Sequence, residues 1–199
     1  MVYLKSKSGG ISMYKLCKTE QSAQRQRQLE QGLLEMMKHH RFEDISVSDL
    51  CDRMQLPRKS FYRYFSSKEG ALFALLDHTL MAFYEMGSLE GLRGGSPVQD
   101  LERFFSFWKS HKDLIEAMMR SNLAGMLVER SVNLAKQEKL MPGYVKEWED
   151  TLKDVAMSFA VCGLLSMVMQ WHKEGYTIPT EKMAQAAVTM LSRPLIPNL

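Results

Sequence analysis

The segment from Ser46 to Glu69 constrains this chain most, because it places two short helical patterns on either side of a tight break. Leu50 and Met54 lie four residues apart, as on one face of a helix, and Gln55–Leu56–Pro57 then interrupts the pattern. Proline is tolerated in the first turn of a helix, so a second short helix is expected to follow. Two short helices joined by a tight turn predict a helix-turn-helix.

The second of these helices is both basic and aromatic. On a helix that begins near Pro57, Phe61 and Phe65 share the side that must face a core, whereas Arg58 and Tyr62 share an outward side. Cations and hydroxyls on an open helix face suit a groove lined with phosphates, although any single cation could also be a solvated charge. No acid interrupts the basic residues of this segment, which are Arg53, Arg58, Lys59, Arg63 and Lys68.

Composition fits a soluble protein with one basic region. The 199 residues are 45% hydrophobic and 25% charged, which is enough for a core and unlike a disordered chain. Residues 1–69 hold 13 Lys and Arg against 8 Asp and Glu, whereas residues 70–199 hold 13 against 15. Only the front of the chain is therefore expected to meet phosphate. With no apolar run long enough to cross a bilayer and no apolar signal core, we expect a cytoplasmic protein without a membrane partner.

Helical periodicity recurs along the chain, and no strand alternation accompanies it. We predict an all-α fold with an N-terminal three-helix helix-turn-helix domain and a C-terminal helical bundle. Residues 87–97, with four glycines and a proline, separate the two domains. The predicted organisation is a loose arm over residues 1–18 (or a basic arm that touches DNA), a DNA-binding domain over 19–86 and a second domain over 97–199.

From Ser46 the chain reads S-V-S-D-L-C-D-R-M-Q-L-P-R-K-S-F-Y-R-Y-F-S-S-K-E. This resembles the TetR family of bacterial transcriptional regulators, whose members typically show S-V-x-D-I-A-x-x-A-G-V-S-x-G-T-L-Y-x-Y-F-x-S-K-E. The resemblance covers residues 24–80 and is most specific from Tyr62 to Glu69. The sequence departs from the pattern at Gln55, where the family has a turn glycine. A left-handed backbone at Gln55 would be strained, or the turn would be altered.

The resemblance implies which residues of the motif touch base edges. Arg58, Lys59 and Ser60 stand at the start of the recognition helix and would reach into the major groove. Arg58 makes a guanine contact plausible, because arginine can bind guanine through two hydrogen bonds.

The resemblance also implies contacts that position the protein on the DNA backbone. Ser48 would approach the backbone from the first helix of the motif, and Tyr62 and Tyr64 would donate hydroxyls to phosphates. Lys68 would bind another phosphate at the N-terminus of the following helix, where the helix dipole favours an anion.

For residues 97–199 the resemblance implies a cavity for a small effector. The default interpretation of each apolar residue there, methionines included, is core packing. An apolar lining would suit a hydrophobic or aromatic molecule. The candidate lining residues are Phe104, Phe105, Trp108, Met118, Met119, Met126 and Trp148.

A long helix predicted over residues 144–174 carries small residues at Ala156, Ala160 and Gly163. It could be an internal core helix, or it could pair with its copy in a two-fold four-helix bundle. We favour the pairing and hence a homodimer. One recognition helix buries too little surface for a specific site, whereas two copies can read a near-palindrome.

These features predict a DNA-binding regulator, expected to be a repressor that a small effector releases from its operator. The alternative is that the C-terminal domain only dimerises or binds a protein partner, without a ligand. Five histidines and three cysteines show no metal-binding spacing, and no catalytic fingerprint is found. Neither a cofactor nor an enzymatic activity is therefore expected, and a helical enzyme is the least favoured interpretation.

Overall fold

The computed structural model describes residues 13–89, 96–137 and 149–192. In this part of the chain only one isolated β-bridge interrupts an otherwise helical architecture, which confirms the all-α prediction. A 3-10 turn covers Phe42–Asp44. The helices are α1 (Glu20–Met37), α2 (Val47–Arg53), α3 (Arg58–Tyr62), α4 (Lys68–Leu89), α5 (Pro97–Ser110), α6 (Lys112–Arg120), α7 (Ala124–Gln137), α8 (Asp150–Lys173) and α9 (Thr180–Ser192).

The chain divides into two compact units, Met1–Thr79 and Leu80–Leu199. The division falls inside α4 and therefore precedes the predicted boundary at residues 87–97, much of which lies outside the described residues. Continuous helical periodicity through α4 hides the division from sequence, because no turn residue marks it.

The first unit is organised around the apolar faces of α1 to α4. Side chains four residues apart on these helices point the same way and meet in one core. Each such residue contributes roughly 1.5–3 kcal/mol when its side chain leaves water. The largest fully buried side chains of this unit are Leu29, Leu33, Met37, Leu50, Phe61, Phe65, Leu72 and Leu76.

Capping fixes where the first helices begin. The Thr19 side chain accepts a hydrogen bond from the backbone N–H of Ser22 at the start of α1. At the start of α2, Ser46 and Asp49 form a reciprocal capping box, with distances of 2.9 and 3.1 Å. Each cap satisfies backbone donors that a helix leaves unpaired, and is worth about 1 kcal/mol.

The turn between α2 and α3 adopts the left-handed geometry that the family's glycine favours. Gln55 has φ 54, and its N–H donates to the Asp52 carbonyl at 3.1 Å. The N–H of Leu56 donates to the Cys51 carbonyl at 2.9 Å, which completes a Schellman motif. Of the two outcomes expected at Gln55, strain therefore applies. The turn is retained, at a cost of about 1 kcal/mol for a left-handed residue with a side chain.

The described part of the predicted loose arm is tied to the first unit. Tyr14 forms an isolated antiparallel bridge with Phe65, and Cys17 is buried. Residues 13–17 are therefore a packed segment, which corrects the expectation of a loose arm for this stretch. Residues 1–12 lie outside the described part of the chain.

The second unit pairs α5 with α9 and α7 with α8. At its centre the rings of Phe105 and Trp171 meet edge to face, with centroids 5.8 Å apart. The remaining fully buried large side chains of this unit include Trp108, Leu114, Ile115 and Met118.

The helix α8 is apolar but largely uncovered within one chain. Its most apolar window has a mean hydropathy of 1.6, and 17% of that window is buried. By length and composition alone α8 could cross a membrane, which corrects the expectation that no segment qualifies. Core and interface helices of soluble proteins meet the same two criteria, so this is a weak indication of membrane insertion.

Candidate nucleic-acid interface

The recognition helix α3 has one side chain in the core and the others on its solvent-facing side. Phe61 has no exposed surface, whereas Tyr62 is 49% exposed and Arg58 and Lys59 are both exposed. Pro57 precedes the helix with φ -61 and ψ 140 and has no N–H that would need a partner. The short helix thus presents cations and a hydroxyl to solvent while an aromatic ring anchors it from below.

Arg58 and Tyr62 are one turn apart and contact each other directly. The Arg58 guanidinium donates a hydrogen bond to the Tyr62 hydroxyl at 3.3 Å and lies 5.9 Å from the ring centroid. This hydrogen bond raises the pKa of Arg58, so the guanidinium keeps its charge. In the described part of the chain neither Arg58 nor Lys59 forms an ion pair with a carboxylate, so both cations remain available to an anionic partner.

The other predicted DNA-contacting residues differ in accessibility. Ser48 and Ser60 are half-buried, on α2 and α3 respectively. Tyr64 is only 6% exposed, so its ring belongs mainly to the core. Its backbone N–H donates to the Phe61 carbonyl at 2.9 Å, which holds the ring beneath the end of α3. Tyr64 thus packs in the core, unlike the exposed Tyr62, and its contact with phosphate stays a prediction.

Lys68 lies where the sequence predicts, at the first residue of α4, but its ammonium points back into the protein. Nζ donates to the carbonyl oxygens of Phe42, Glu43 and Ile45 at 2.8, 3.0 and 2.8 Å. An ammonium has three hydrogens, and all three are committed to these carbonyls. In this structure Lys68 ties the 3-10 turn to the start of α4, and its contact with phosphate stays a prediction.

A basic groove borders α3 on the side of the N-terminal segment. Its volume is about 510 Å³, and it contains no acidic residue. Lys15 and Arg63 contribute the charges, and Tyr62 belongs both to this groove and to the exposed face of α3. The sequence offered a basic arm as an alternative but did not single out Lys15, because a stretch without periodicity gives no signal that it packs beside α3. The lining residues are Met13, Tyr14, Lys15, Leu16, Tyr62, Arg63, Tyr64, Phe65 and Ser66.

The candidate ligand residues of the second unit are mostly packed. Phe105, Trp108 and Met118 are buried, with at most 1% of their surface exposed. Phe104, Met119 and Met126 are half-buried, and Trp148 lies outside the described residues. Among the described residues the indole Nε1 of Trp108 is a buried donor without an acceptor. A buried N–H left unpaired costs roughly 1–3 kcal/mol, so this donor is unusual in a folded core.

An open groove of about 680 Å³ lies on the opposite, polar face of α5. The lining residues that lie on α5 recur at helical spacing and form one continuous face of the helix. None of the predicted ligand residues lies on this face. Polar side chains provide most of its lining, which is Met86, Gln99, Glu102, Arg103, Ser106, Phe107 and Ser110.

A polar cluster joins α6 to the end of α8. His172 contacts Glu116 through Nε2 at 2.7 Å and the Tyr176 hydroxyl through Nδ1 at 3.0 Å. The hydrogen bonds from His172 and from Arg120 lower the pKa of Glu116, whereas burial raises the pKa of Tyr176 to about 12. Within the described ranges no group of three or more His, Cys, Asp or Glu side chains is arranged to hold a metal ion.

Comparison with known proteins relates this architecture to regulators of transcription. Residues 96–193 match the family profile TetR_C_8, described as the C-terminal region of transcriptional regulators. No curated protein matches the sequence significantly. The matched profile describes regulators of transcription rather than enzymes, in agreement with the expectation of no enzymatic activity.

Three solved structures illustrate the shared fold. A TetR-family regulator from Syntrophomonas wolfei has 14% identity and a TM-score of 0.67, covering 88% of this chain and 99% of that one. The fatty acid degradation regulator FadR from Bacillus halodurans has 15% identity and a TM-score of 0.62, covering 90% and 98%. A TetR-family regulator from Streptomyces coelicolor has 19% identity and a TM-score of 0.58, covering 83% and 78%. At these identities the likeness is one of fold.

Proposed function

The chain belongs to the TetR family of transcriptional regulators, and on that basis we propose that it binds a near-palindromic operator as a homodimer. In each protomer α3 enters the major groove and α2 stands over the backbone. The regulator works in the cytoplasm, as a repressor whose operator affinity is set by a small effector.

The exposed face of α3 carries this proposal. Neither Arg58 nor Lys59 forms an ion pair within the described chain, and the Tyr62 hydroxyl accepts a hydrogen bond from one guanidinium nitrogen of Arg58 at 3.3 Å. The remaining guanidinium donors stay available for the O6 and N7 atoms of a guanine. Ser60 supports the base contacts from the same helix, and Ser48 approaches the backbone from α2.

Selection of bound fragments from a random DNA pool tests the proposal. We expect a two-fold symmetric consensus whose half-site centres are separated by about one helical turn or a multiple of it. Arg58→Ala should then lose about 1–3 kcal/mol of discrimination at one position in each half-site. Lys112→Ala, which removes an exposed cation of the second unit, is the matched control and should retain the full preference. An unenriched pool, or an Arg58→Ala protein with unchanged preference, would contradict the assignment.

Dimerisation is supported by the uncovered face of α8. Leu152, Val155 and Phe159 are 51%, 60% and 62% exposed and recur at helical spacing. A Cβ atom built at Gly163, one turn beyond Phe159, meets nothing within 4 Å inside the protomer. An apolar stripe with room for a close approach suits the same stripe of a second copy, because a two-fold interface brings identical surfaces together.

Effector binding is supported by the buried donor of Trp108. A hydrophobic or aromatic molecule with one acceptor atom would bind among Phe105, Trp108 and Met118 and would satisfy Nε1. Because these side chains are closed over one another, binding selects a conformation in which they part. If that conformation spaces the two recognition helices differently, the effector changes operator affinity through a population shift.

A thermal-shift screen of apolar metabolites tests the effector. A ligand that raises Tm in the wild type should give a smaller shift with Trp108→Phe, which keeps an aromatic ring and removes the N–H. If no compound raises Tm while operator binding is intact, the second unit is a dimerisation or protein-partner module instead.

A reporter gene placed behind the selected operator tests whether the protein represses or activates. A repressor should lower the expression of the reporter.

A further inference from the structure

We propose that the N-terminal segment Met13–Leu16 and the turn that follows α3 form a second phosphate-binding surface, in which Lys15 and Arg63 hold the DNA backbone beside the recognition helix. The inference rests on the proposed DNA binding. It extends the footprint to a segment that lies outside α2 and α3.

The segment is built into the fold by its backbone. The N–H of Lys15 donates to the Tyr64 carbonyl at 2.8 Å, and the Met13 carbonyl accepts from the N–H and the hydroxyl of Ser66, each at 3.0 Å. These bonds lie on both sides of the bridge that pairs Tyr14 with Phe65. A segment held at three consecutive residues presents the Lys15 side chain from a defined place rather than from a freely moving tail.

Side chains hold the same segment from its other side. The Tyr14 hydroxyl donates to the Asp77 carboxylate at 2.6 Å. The Gln26 amide donates to the Lys15 carbonyl at 3.1 Å, and its own oxygen accepts from the buried thiol of Cys17 at 3.1 Å. The backbone of Lys15 is thus satisfied at both its N–H and its carbonyl, which leaves only the side chain for a partner.

Gly70 in the first turn of α4 makes room for this arrangement. A Cβ atom at that position would lie 2.2 Å from the Met13 carbonyl oxygen, far inside contact distance. The neighbouring atom is backbone, so the segment would have to move if Gly70 carried a side chain. Position 70 therefore offers a way to displace the segment without removing any charge from it.

The groove between the segment and the turn has the chemistry of a phosphate contact. Lys15 and Arg63 are exposed, and neither forms an ion pair in the described part of the chain. Ser66 adds a hydroxyl, and no carboxylate lines the groove. Two unpaired cations with hydroxyl neighbours favour an anion over any neutral or cationic occupant.

Continuity with α3 identifies that anion as the DNA backbone. Tyr62 lines the groove and also accepts the hydrogen bond from Arg58. A strip of donors therefore runs from the base-reading end of α3 through Tyr62 to Arg63 and Lys15. A duplex that places its major groove on Arg58 brings a phosphodiester strand along this strip, because base edges and backbone lie side by side in DNA.

The salt dependence of DNA binding tests the inference. The probe is a random-sequence duplex of roughly 30 base pairs, long enough for two half-sites one helical turn apart. Lys15→Ala and Arg63→Ala should each lower the slope of log K against log salt by about 1.8 in a dimer, because every lost phosphate contact occurs twice and contributes about 0.9. Lys112→Ala should keep the wild-type slope.

Gly70→Ala provides a second and independent test. It should reduce the slope as Lys15→Ala does, although both cations are still present, because the segment is displaced. Gly125→Ala is its control, since a Cβ there meets nothing within 4 Å. Circular dichroism checks that each variant is folded. If Gly70→Ala does not fold, the salt slopes of Lys15→Ala and Arg63→Ala alone test the inference.

The outcomes separate this surface from DNA binding itself. If the wild type binds the duplex and both charge variants keep its slope, the groove is not a phosphate site, and the assignment of α3 stands. If the wild type binds no duplex at low salt, the proposed function and this extension both fall. A reduced slope in Arg63→Ala alone would overturn the role of the N-terminal segment.

Discussion

Lys68 contacts Phe42 twice: its Nζ donates to the Phe42 carbonyl at 2.8 Å and lies 4.7 Å from the centroid of the Phe42 ring. The two residues are 26 positions apart in the chain, and the contact fastens the start of α4 to the 3-10 turn before α2. A residue that a sequence motif suggests for DNA is therefore committed to the fold of the DNA-binding unit.

Lys68→Met should destabilise the first unit by about 2 kcal/mol, because three carbonyl oxygens lose a charged donor and the cation–π contact disappears. Urea unfolding at constant pH measures this loss as a shift of the midpoint. The slope of DNA affinity against salt should stay at its wild-type value for the protein that remains folded.

Arg63→Ala is the matched control for Lys68→Met. Arg63 is an exposed cation after α3 that is proposed to contact phosphate, so its removal should leave the unfolding midpoint unchanged and lower the salt slope by about 1.8 in a dimer. The structural role of Lys68 is refuted if Lys68→Met behaves like Arg63→Ala in both measurements.

Gln55→Gly should stabilise the protein by about 0.5–1 kcal/mol. Gln55 has φ 54, where a side chain costs energy that glycine avoids, although glycine also gains freedom in the unfolded chain. Gln28→Gly, at an exposed position inside α1, should do the opposite and cost about 1 kcal/mol. Thermal unfolding of the two variants checks the sign, and equal destabilisation by both would show that the turn carries no strain.

Phe159→Glu should convert a dimer into a monomer with little loss of protomer stability. The ring is 62% exposed in the protomer, so a charge there costs little unless a second chain covers it. Light scattering at micromolar concentration measures the mass. Asn133→Glu adds the same charge at an exposed position of α7 and should remain dimeric. A monomeric wild type would remove the basis of the paired-helix proposal.

In Glu116→Gln the free energy of unfolding should fall less at acid pH than it does in the wild type. Hydrogen bonds from His172 and Arg120 lower the pKa of Glu116 from its usual 4.5, so the unfolded chain binds the proton more tightly. The stabilisation is complete above pH 4.5 and is lost as the pH falls through the lower folded value. Because the Glu116 side chain is 44% exposed, the contribution is that of a surface pair, below about 1 kcal/mol.

Urea unfolding from about pH 3 to about pH 6 measures this effect. Glu129→Gln, an exposed carboxylate on α7 outside the cluster, is the control and should keep the wild-type profile. If Glu116→Gln loses as much unfolding free energy at low pH as the wild type does, the contact with His172 adds nothing to stability.

Local sequence patterns predict the helices and the two faces of α3, because both depend on residues at most four positions apart. The pairing of Ser46 with Asp49 and the opposite orientations of Phe61 and Tyr62 follow from local geometry. Contacts between distant residues leave no such signal. The three acceptors of Lys68 come from a different turn, and the partners of residues 13–17 lie on α1, on α4 and in the turn after α3, so neither arrangement could be foreseen.

For a related reason, the sequence left open whether the apolar residues around Trp108 form a packed core or line a cavity. A run of apolar residues at helical spacing is equally compatible with a filled core and with a cavity, because both need the same residue types. Only the three-dimensional structure distinguishes the two, and its open groove lies on the polar face of α5.

The bridge between Tyr14 and Phe65 has a consequence for how binding preference can evolve. It fixes Tyr14 and Lys15 beside the turn that follows the recognition helix. Another side chain at position 15 would therefore be held at the same place. Substitutions in α3 risk the fold through the buried Phe61, whereas Lys15 is exposed. On the proposed DNA binding, preference for the flank of the operator can change at position 15 while the reading helix stays constant.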